Sequence, residues 1–139
     1  MTYRLHEASG PPLASSMQDF KHIKAWQRAH ALTIELQKAT RHYIRAGYSR
    51  LRAQLTGGAD IIGDNIVEGC SAATNKEFAR FLDMSIKSAN ETEGHLLKAR
   101  DLNVMSQDTW QGFTAETVEI RKMTYSYRRK VLSSDREGK

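Results

Sequence analysis

Four glycines fall within sixteen residues, LTGGADIIGDNIVEGC at 55–70. Glycines at this density are the raw material of a phosphate loop, whose backbone N–H groups wrap an anion. A Walker-type loop needs a lysine directly after its last glycine, and a dinucleotide loop needs G-x-G-x-x-G after a strand. Gly57, Gly58, Gly63 and Gly69 fit neither spacing, and the residues before them, RLRAQLT, do not read as a strand. The apolar residues between them keep helical register, with Gly58 and Gly63 on opposite shoulders of a stripe centred on Leu55 and Ile62. An interior glycine costs a helix about 0.5–1 kcal/mol against alanine, so several together imply a neighbour that must come close. Gly57 falls toward an acidic side made by Asp60, Asp64 and Glu68, and Gly69 is expected as the left-handed residue just past the helix end.

Other chemistry-bearing residues stand apart. Di-iron bundles need carboxylates from several helices and two Glu-x-x-His pairs, and the chain contains no Glu-x-x-His. His95 follows Glu91 by four residues, which makes one side of a metal site at most, and His6, His22, His30 and His42 lack a partner at ligand spacing. Cys70 is the single cysteine and has no base beside it in sequence. Glu68 sits near a helix C-terminus, where a carboxylate opposes the macrodipole, so an ion pair with Lys76 or Arg80 or capping of the next helix is expected. The expectation is a protein that is not an enzyme, with no metal and no cofactor.

Charge points instead to a partner. The chain of 139 residues carries 21 Lys and Arg against 16 Asp and Glu, a net +5, and the excess is clustered. Residues 38–52 hold Lys38, Arg41, Arg45, Arg50 and Arg52 with no acid, and residues 121–134 hold Arg121, Lys122, Arg128, Arg129 and Lys130 with none. Such segregation suits a polyanion, and it equally suits the solvated last turns of helices, where cations complement the dipole. One cysteine, no secretory h-region and no apolar run near the roughly 18–20 residues that span a bilayer lead to the expectation of a cytoplasmic protein with no membrane partner.

The elements that must position these residues are helices. Both prolines lie at or before Pro12, and residues 1–16 read as a flexible arm. From Phe20 the apolar residues Ala25, Ala29, Leu32, Leu36, Ala39 and Tyr43 recur at steps of four and three, a first helix expected to end just before Arg45, ahead of Gly47, with Ser49 as a cap for the next. The second covers about 50–68 on Leu51, Leu55, Ala59, Ile62 and Ile66. Thr74 and Glu77 have capping-box spacing ahead of a third, whose stripe of Phe78, Leu82, Ser85, Ala89, Thr92 and Leu96 is thin in the middle. Ser106, behind apolar Met105, caps a fourth carrying Trp110, Phe113, Thr117, Ile120, Thr124, Tyr127 and Val131. Residues 17–133 are therefore expected to form an all-α, antiparallel up-down-up-down four-helix bundle, with 134–139 a flexible tail. That topology gathers Arg41, Arg45, Arg50, Arg52 and Arg100 at one pole. It brings Arg128, Arg129 and Lys130 toward Lys21, Lys24 and Arg28 at the other.

With those helices in place, IKAWQRAH at 23–30, NIVEG at 65–69 and KEFARFLDMSIKSANETEGHLLKARDL at 76–102 resemble the 23S rRNA-intervening sequence protein family over about residues 20–105. Trp26 and Gln27 match its W-Q pair, Asn65, Glu68 and Gly69 its N-I-x-E-G, and Phe81 and Leu82 its F-L. The resemblance implies a small cytosolic four-helix bundle assembled into a homopentameric ring. It also implies a fold shared with the accessory proteins of diversity-generating retroelements, which bind nucleic acid and partner a reverse transcriptase. Two departures bear on this. Thr56 and Gly57 stand where family members often carry paired arginines, and Gly63 stands for a frequent proline. The first subtracts from any polyanion surface at that place.

Three readings of function follow. In the first, a non-enzymatic homo-oligomer binds RNA or DNA by phosphate contacts from Arg41, Arg45, Arg50 and Arg52 at one pole and Arg128, Arg129 and Lys130 at the other, repetition around a ring adding avidity. In the second, the protein is a protein–protein scaffold with no nucleic-acid role. A metal-dependent bundle enzyme, the third, has too few ligands.

Overall fold

The computed structural model describes residues 19–137, and side chains as far as Ser134. The expected arm at 1–16 lies outside the described residues, as do the last two residues of the expected tail. Four α-helices, α1 (Lys24–Ala39), α2 (Ser49–Cys70), α3 (Asn75–Asp101) and α4 (Gln107–Glu137), are joined by short segments that include 3-10 turns at Phe20–His22 and Arg41–Tyr43, and no strand occurs among the described residues. Each helix packs on its neighbours in sequence and α4 closes against α1. Tyr43, Leu51, Ala99 and Met105 share one part of the core, and Ile23, Cys70, Phe78 and Val131 another. The end of α1, start of α2, end of α3 and start of α4 therefore meet at one pole, and the complementary ends at the other, so consecutive helices run antiparallel.

The glycines of α2 are where its neighbours press in. A Cβ on Gly58 would lie 2.8 Å from Thr92 Oγ1 of α3, and one on Gly63 would lie 3.6 Å from the Trp26 ring of α1. Thin meets thin: the middle of α3 offers Ser85, Ala89 and Thr92, all fully buried. The approach is close enough for Ser85 Oγ to donate a hydrogen bond to the Ile62 carbonyl at 2.8 Å. At Gly57 a Cβ would meet nothing within 4 Å.

Local signals place most helix ends. Thr74 Oγ1 accepts from Glu77 N at 3.1 Å, and Ser106 Oγ accepts from Thr109 N at 3.2 Å behind buried Met105. Three expectations fail. The first helix stops at Ala39 rather than just before Arg45, because Thr40 turns its hydroxyl onto the Leu36 carbonyl and the chain tightens into a 3-10 turn that still buries Tyr43. Ser49 is the first helical residue of α2 and caps nothing. Gly69 is helical and buried rather than left-handed: the helix runs on to Cys70, and a Cβ at Gly69 would lie 2.5 Å from the Phe78 ring.

These contacts predict opposite effects for two glycine-to-alanine changes in one helix. Gly57→Ala is expected to raise stability by about 0.5–1 kcal/mol. Gly69→Ala, which drives a methyl into Phe78, is expected to lower it by about 1–3 kcal/mol. Equilibrium urea unfolding reads both, and a Gly69→Ala protein as stable as the parent would show that the α2–α3 contact is not close there.

Candidate nucleic-acid interface

The first pole is built around a fixed turn. After Thr40 ends α1, Tyr43 is buried to 1% exposure and its carbonyl accepts from Tyr48 N at 2.7 Å, while Gly47 takes φ +87°, which a side chain would resist. Arg41 and Arg45 project from this turn and Arg50 from the first turn of α2, and all three are exposed. No acid lies in that first turn, so the positive end of the α2 dipole adds to the arginines instead of being neutralised. None of the three takes part in an ion pair among the described residues.

Two arginines expected to join them are engaged elsewhere. Arg52 Nη2 donates to Gln37 Oε1 at 2.8 Å and clamps α2 to α1. Arg100 lies 4.4 Å over the Trp110 ring and pairs with Asp101 at 3.0 Å.

At the second pole an open groove of about 970 Å³ runs between the start of α1 and the end of α4. Lys24, Lys122, Arg129 and Lys130 line it together with Ile23, Met123 and Tyr127, and Glu119 is its one carboxylate. Lys24 does come to Arg129 and Lys130, as the topology leads one to expect. Arg128 does not, since its Nε lies 2.6 Å from Asp83 Oδ1 of α3. Arg28 forms a forked pair with Glu116 of α4, Nε to Oε2 at 2.9 Å and Nη2 to Oε1 at 2.5 Å, which raises its pKa. Arg121 holds Asn90 at 2.8 Å and Glu93 at 2.5 Å. These pairs cross between helices and have no fixed spacing in sequence, which is why reading the chain alone does not find them.

The motif residues do structural work. Trp26 stacks on His30 at 5.0 Å and meets Phe20 edge-on at 4.7 Å. Gln27 Nε2 donates to the Lys21 carbonyl at 2.7 Å and ties the first turn to α1. Asn65 Nδ2 donates to the Ile61 carbonyl at 3.0 Å, Phe81 packs against the Gly69 position, and Leu82 is fully buried. Glu68 departs from expectation: it is exposed and enters no ion pair among the described residues, Lys76 and Arg80 included, because the side chain leaves α2 on its outer face. Asp60 does not complete an outward acidic stripe either. It faces α1, where burial raises its pKa against the opposing hydrogen bond from Thr33.

The 23S rRNA-intervening sequence protein family model matches residues 21–126. The chain belongs to this family. A crystal structure of a protein with unknown function from the S23 ribosomal protein family of Bacteroides thetaiotaomicron matches with a TM-score of 0.71 at 19% identity, covering 76% of this chain and 95% of the other. That likeness establishes the shared fold. No curated protein matches the chain. The family match takes in Arg41, Arg45 and Arg50 and ends inside α4, so Tyr127, Arg129 and Lys130 lie beyond it.

Among the described residues no group of three His, Cys, Asp or Glu is placed to hold a metal ion, and no helix is long and apolar enough to cross a membrane. Burial and Lys98 lower the pKa of His95, against Glu91. Cys70 is buried, and burial together with the Asp19 charge pushes its thiol up to about 12. With almost no thiolate near pH 8, the native protein is expected to resist a thiol–disulfide reagent and to react only at the rate of unfolding. Reaction in the native state as fast as in urea would place Cys70 at the surface.

Proposed function

We propose that the protein is a non-enzymatic oligomeric bundle that binds RNA or DNA through phosphate contacts, with Arg41, Arg45 and Arg50 as the contacting residues. One observation carries this reading: three exposed guanidinium groups, in no ion pair among the described residues, stand on the turn and first helical residues at the positive end of a helix. Guanidinium pairs with phosphate in a forked geometry, and neutralising a polyanion releases counterions. A ring of five copies, as the resemblance implies, would present the patch five times and turn weak contacts into avidity. A cytoplasmic address accompanies this reading. Stacking on bases adds little to it, because the tyrosines among the three arginines, Tyr43 and Tyr48, are buried and half-buried, and exposed His42 is the one ring left at the surface there.

The scaffold reading has one observation in its favour. Arg129 and Lys130 border an apolar floor, which a phosphate backbone would leave uncovered.

Purified protein stripped of carried-over nucleic acid is expected to shift single-stranded RNA at low salt and to release it steeply as salt rises. Replacing Arg41, Arg45 and Arg50 by alanine is expected to reduce the log–log salt slope by about 2, at roughly 0.7 per contact on a single strand. Native mass spectrometry before and after nuclease treatment reads the number of chains and the retained nucleic acid together. No binding, or an unchanged slope in the triple variant, would leave the scaffold reading in possession.

A further inference from the structure

The basic groove at the second pole is a trough. Along its α4 wall Glu119, Met123, Ser126, Lys130 and Ser133 follow each other at steps of four and three, and at about 1.5 Å per residue this wall runs about 21 Å, close to four helical turns. The opposite wall is the entry to α1 at Ile23, Lys24 and Ala25. Ile23 and Ala25 are already buried by the chain itself, so the apolar surface still open in the trough is that of half-buried Met123, Tyr127 and Leu132. Exposed Ser126 keeps the middle of the α4 wall low.

Lys24, Lys122, Arg129 and Lys130 stand exposed around this apolar surface and enter no ion pair among the described residues, against Glu119 as the one carboxylate of the lining. Three of the four cations are lysines. Lysine is a point charge on a flexible stem, without the forked geometry by which arginine matches phosphate, and its methylenes extend the apolar surface beside it. The two poles therefore differ in kind, with arginines on a turn at the first and lysines around an apolar trough at the second.

We propose that this groove is the docking site for an acidic amphipathic helix of a partner protein. Apolar side chains of that helix, recurring at steps of three and four, lie on Met123, Tyr127 and Leu132, and carboxylates on its flanks meet Lys24, Lys122, Arg129 and Lys130. A helix laid into a groove by its apolar face satisfies the charge and covers the floor together. A polynucleotide backbone would match the charge and leave the floor in water. The chain's own first 18 residues do not have the required composition, since they carry Arg4 and Glu7 as their only residues of the Lys, Arg, Asp and Glu set. One groove belongs to each chain, so a ring of five copies would present five.

The site contains none of Arg41, Arg45 and Arg50, so helix docking and polynucleotide binding fail separately. The probe is a fluorescein-labelled synthetic peptide of about four helical turns, with leucine at steps of three and four and glutamate at most other positions. Fluorescence anisotropy with the full-length protein is expected to show binding. A peptide of the same composition in scrambled order, and one with lysine in place of glutamate, are each expected to bind at least about tenfold more weakly. Two variants at exposed positions test the groove itself: Ser126→Trp, which fills it without changing charge, and Lys122→Glu with Lys130→Glu. Each is expected to weaken peptide binding at least about tenfold, whereas alanine at Arg41, Arg45 and Arg50 leaves it unchanged. Circular dichroism checks that each variant folds, and native mass spectrometry counts its chains. No binding, equal binding of the scrambled peptide, or a Ser126→Trp protein that binds like the parent would each overturn the proposal. A changed chain number in either groove variant would assign the groove to a second copy and overturn it. Loss of RNA retention in the charge variant with peptide affinity intact would assign it to nucleic acid and overturn it too.

Discussion

The bundle rests on how closely α2 lets its neighbours approach. Gly58 against Thr92 and Gly69 against Phe78 are positions where a methyl would clash with α3, and on the other side Gly63 lets the Trp26 ring of α1 come within ordinary contact. Each interior glycine costs about 0.5–1 kcal/mol of helix stability. Fully buried Leu55, Ala59, Ile62 and Ile66 on the same helix offset that through the core they share with α1, α3 and α4. The family motifs gather at these contacts: Trp26 lies on Gly63, Phe81 on Gly69, and Leu82 in the core behind them. Their role in this chain is to hold the helices at the spacing that fixes both poles.

Given that spacing, ion pairs between helices decide which cations remain available. Arg28 is taken by Glu116, Arg121 by Glu93 and Arg128 by Asp83, and Arg52 is held by Gln37. Exposed pairs of this kind contribute only about 0–1 kcal/mol each to stability. Their larger consequence is selective. They remove cations from the flanks of the bundle and leave Arg41, Arg45 and Arg50 at one pole, and Lys24, Lys122, Arg129 and Lys130 at the other, outside any ion pair among the described residues.

Helix number, helix order and the identity of the core were legible because apolar periodicity is a local pattern. Thr74 and Ser106 were legible as caps for the same reason: the donor they satisfy lies three residues away. The failures share a cause. Gly69 and Glu68 were read by position near a helix end, but Phe78 of the next helix decides the first, and the outward face of α2 the second. The apolar stripe runs from Ala39 to Tyr43 without singling out Thr40, whose hydroxyl competes for the Leu36 carbonyl so that the chain tightens after it. Of the candidate interface, the clustering of basic residues was legible. The removal of Arg52 and Arg128 from it was not, since Gln37 and Asp83 reach them across helix boundaries.

The two poles also differ in how far they are shared. The family match ends at residue 126, whereas α4 continues to Glu137 and lines the second groove with Tyr127, Arg129, Lys130 and Leu132. The first pole lies wholly within the match and presents arginine on a turn. Phosphate can satisfy those guanidinium groups, and the apolar surface it leaves uncovered there is that of Ile44, 56% exposed between Arg41 and Arg45. The second pole, built in part by residues beyond the match, sets its cations around apolar side chains, and removing apolar surface from water stabilises a contact by about 25 cal/mol per Å². A partner that neutralised only the charge would forgo that contribution.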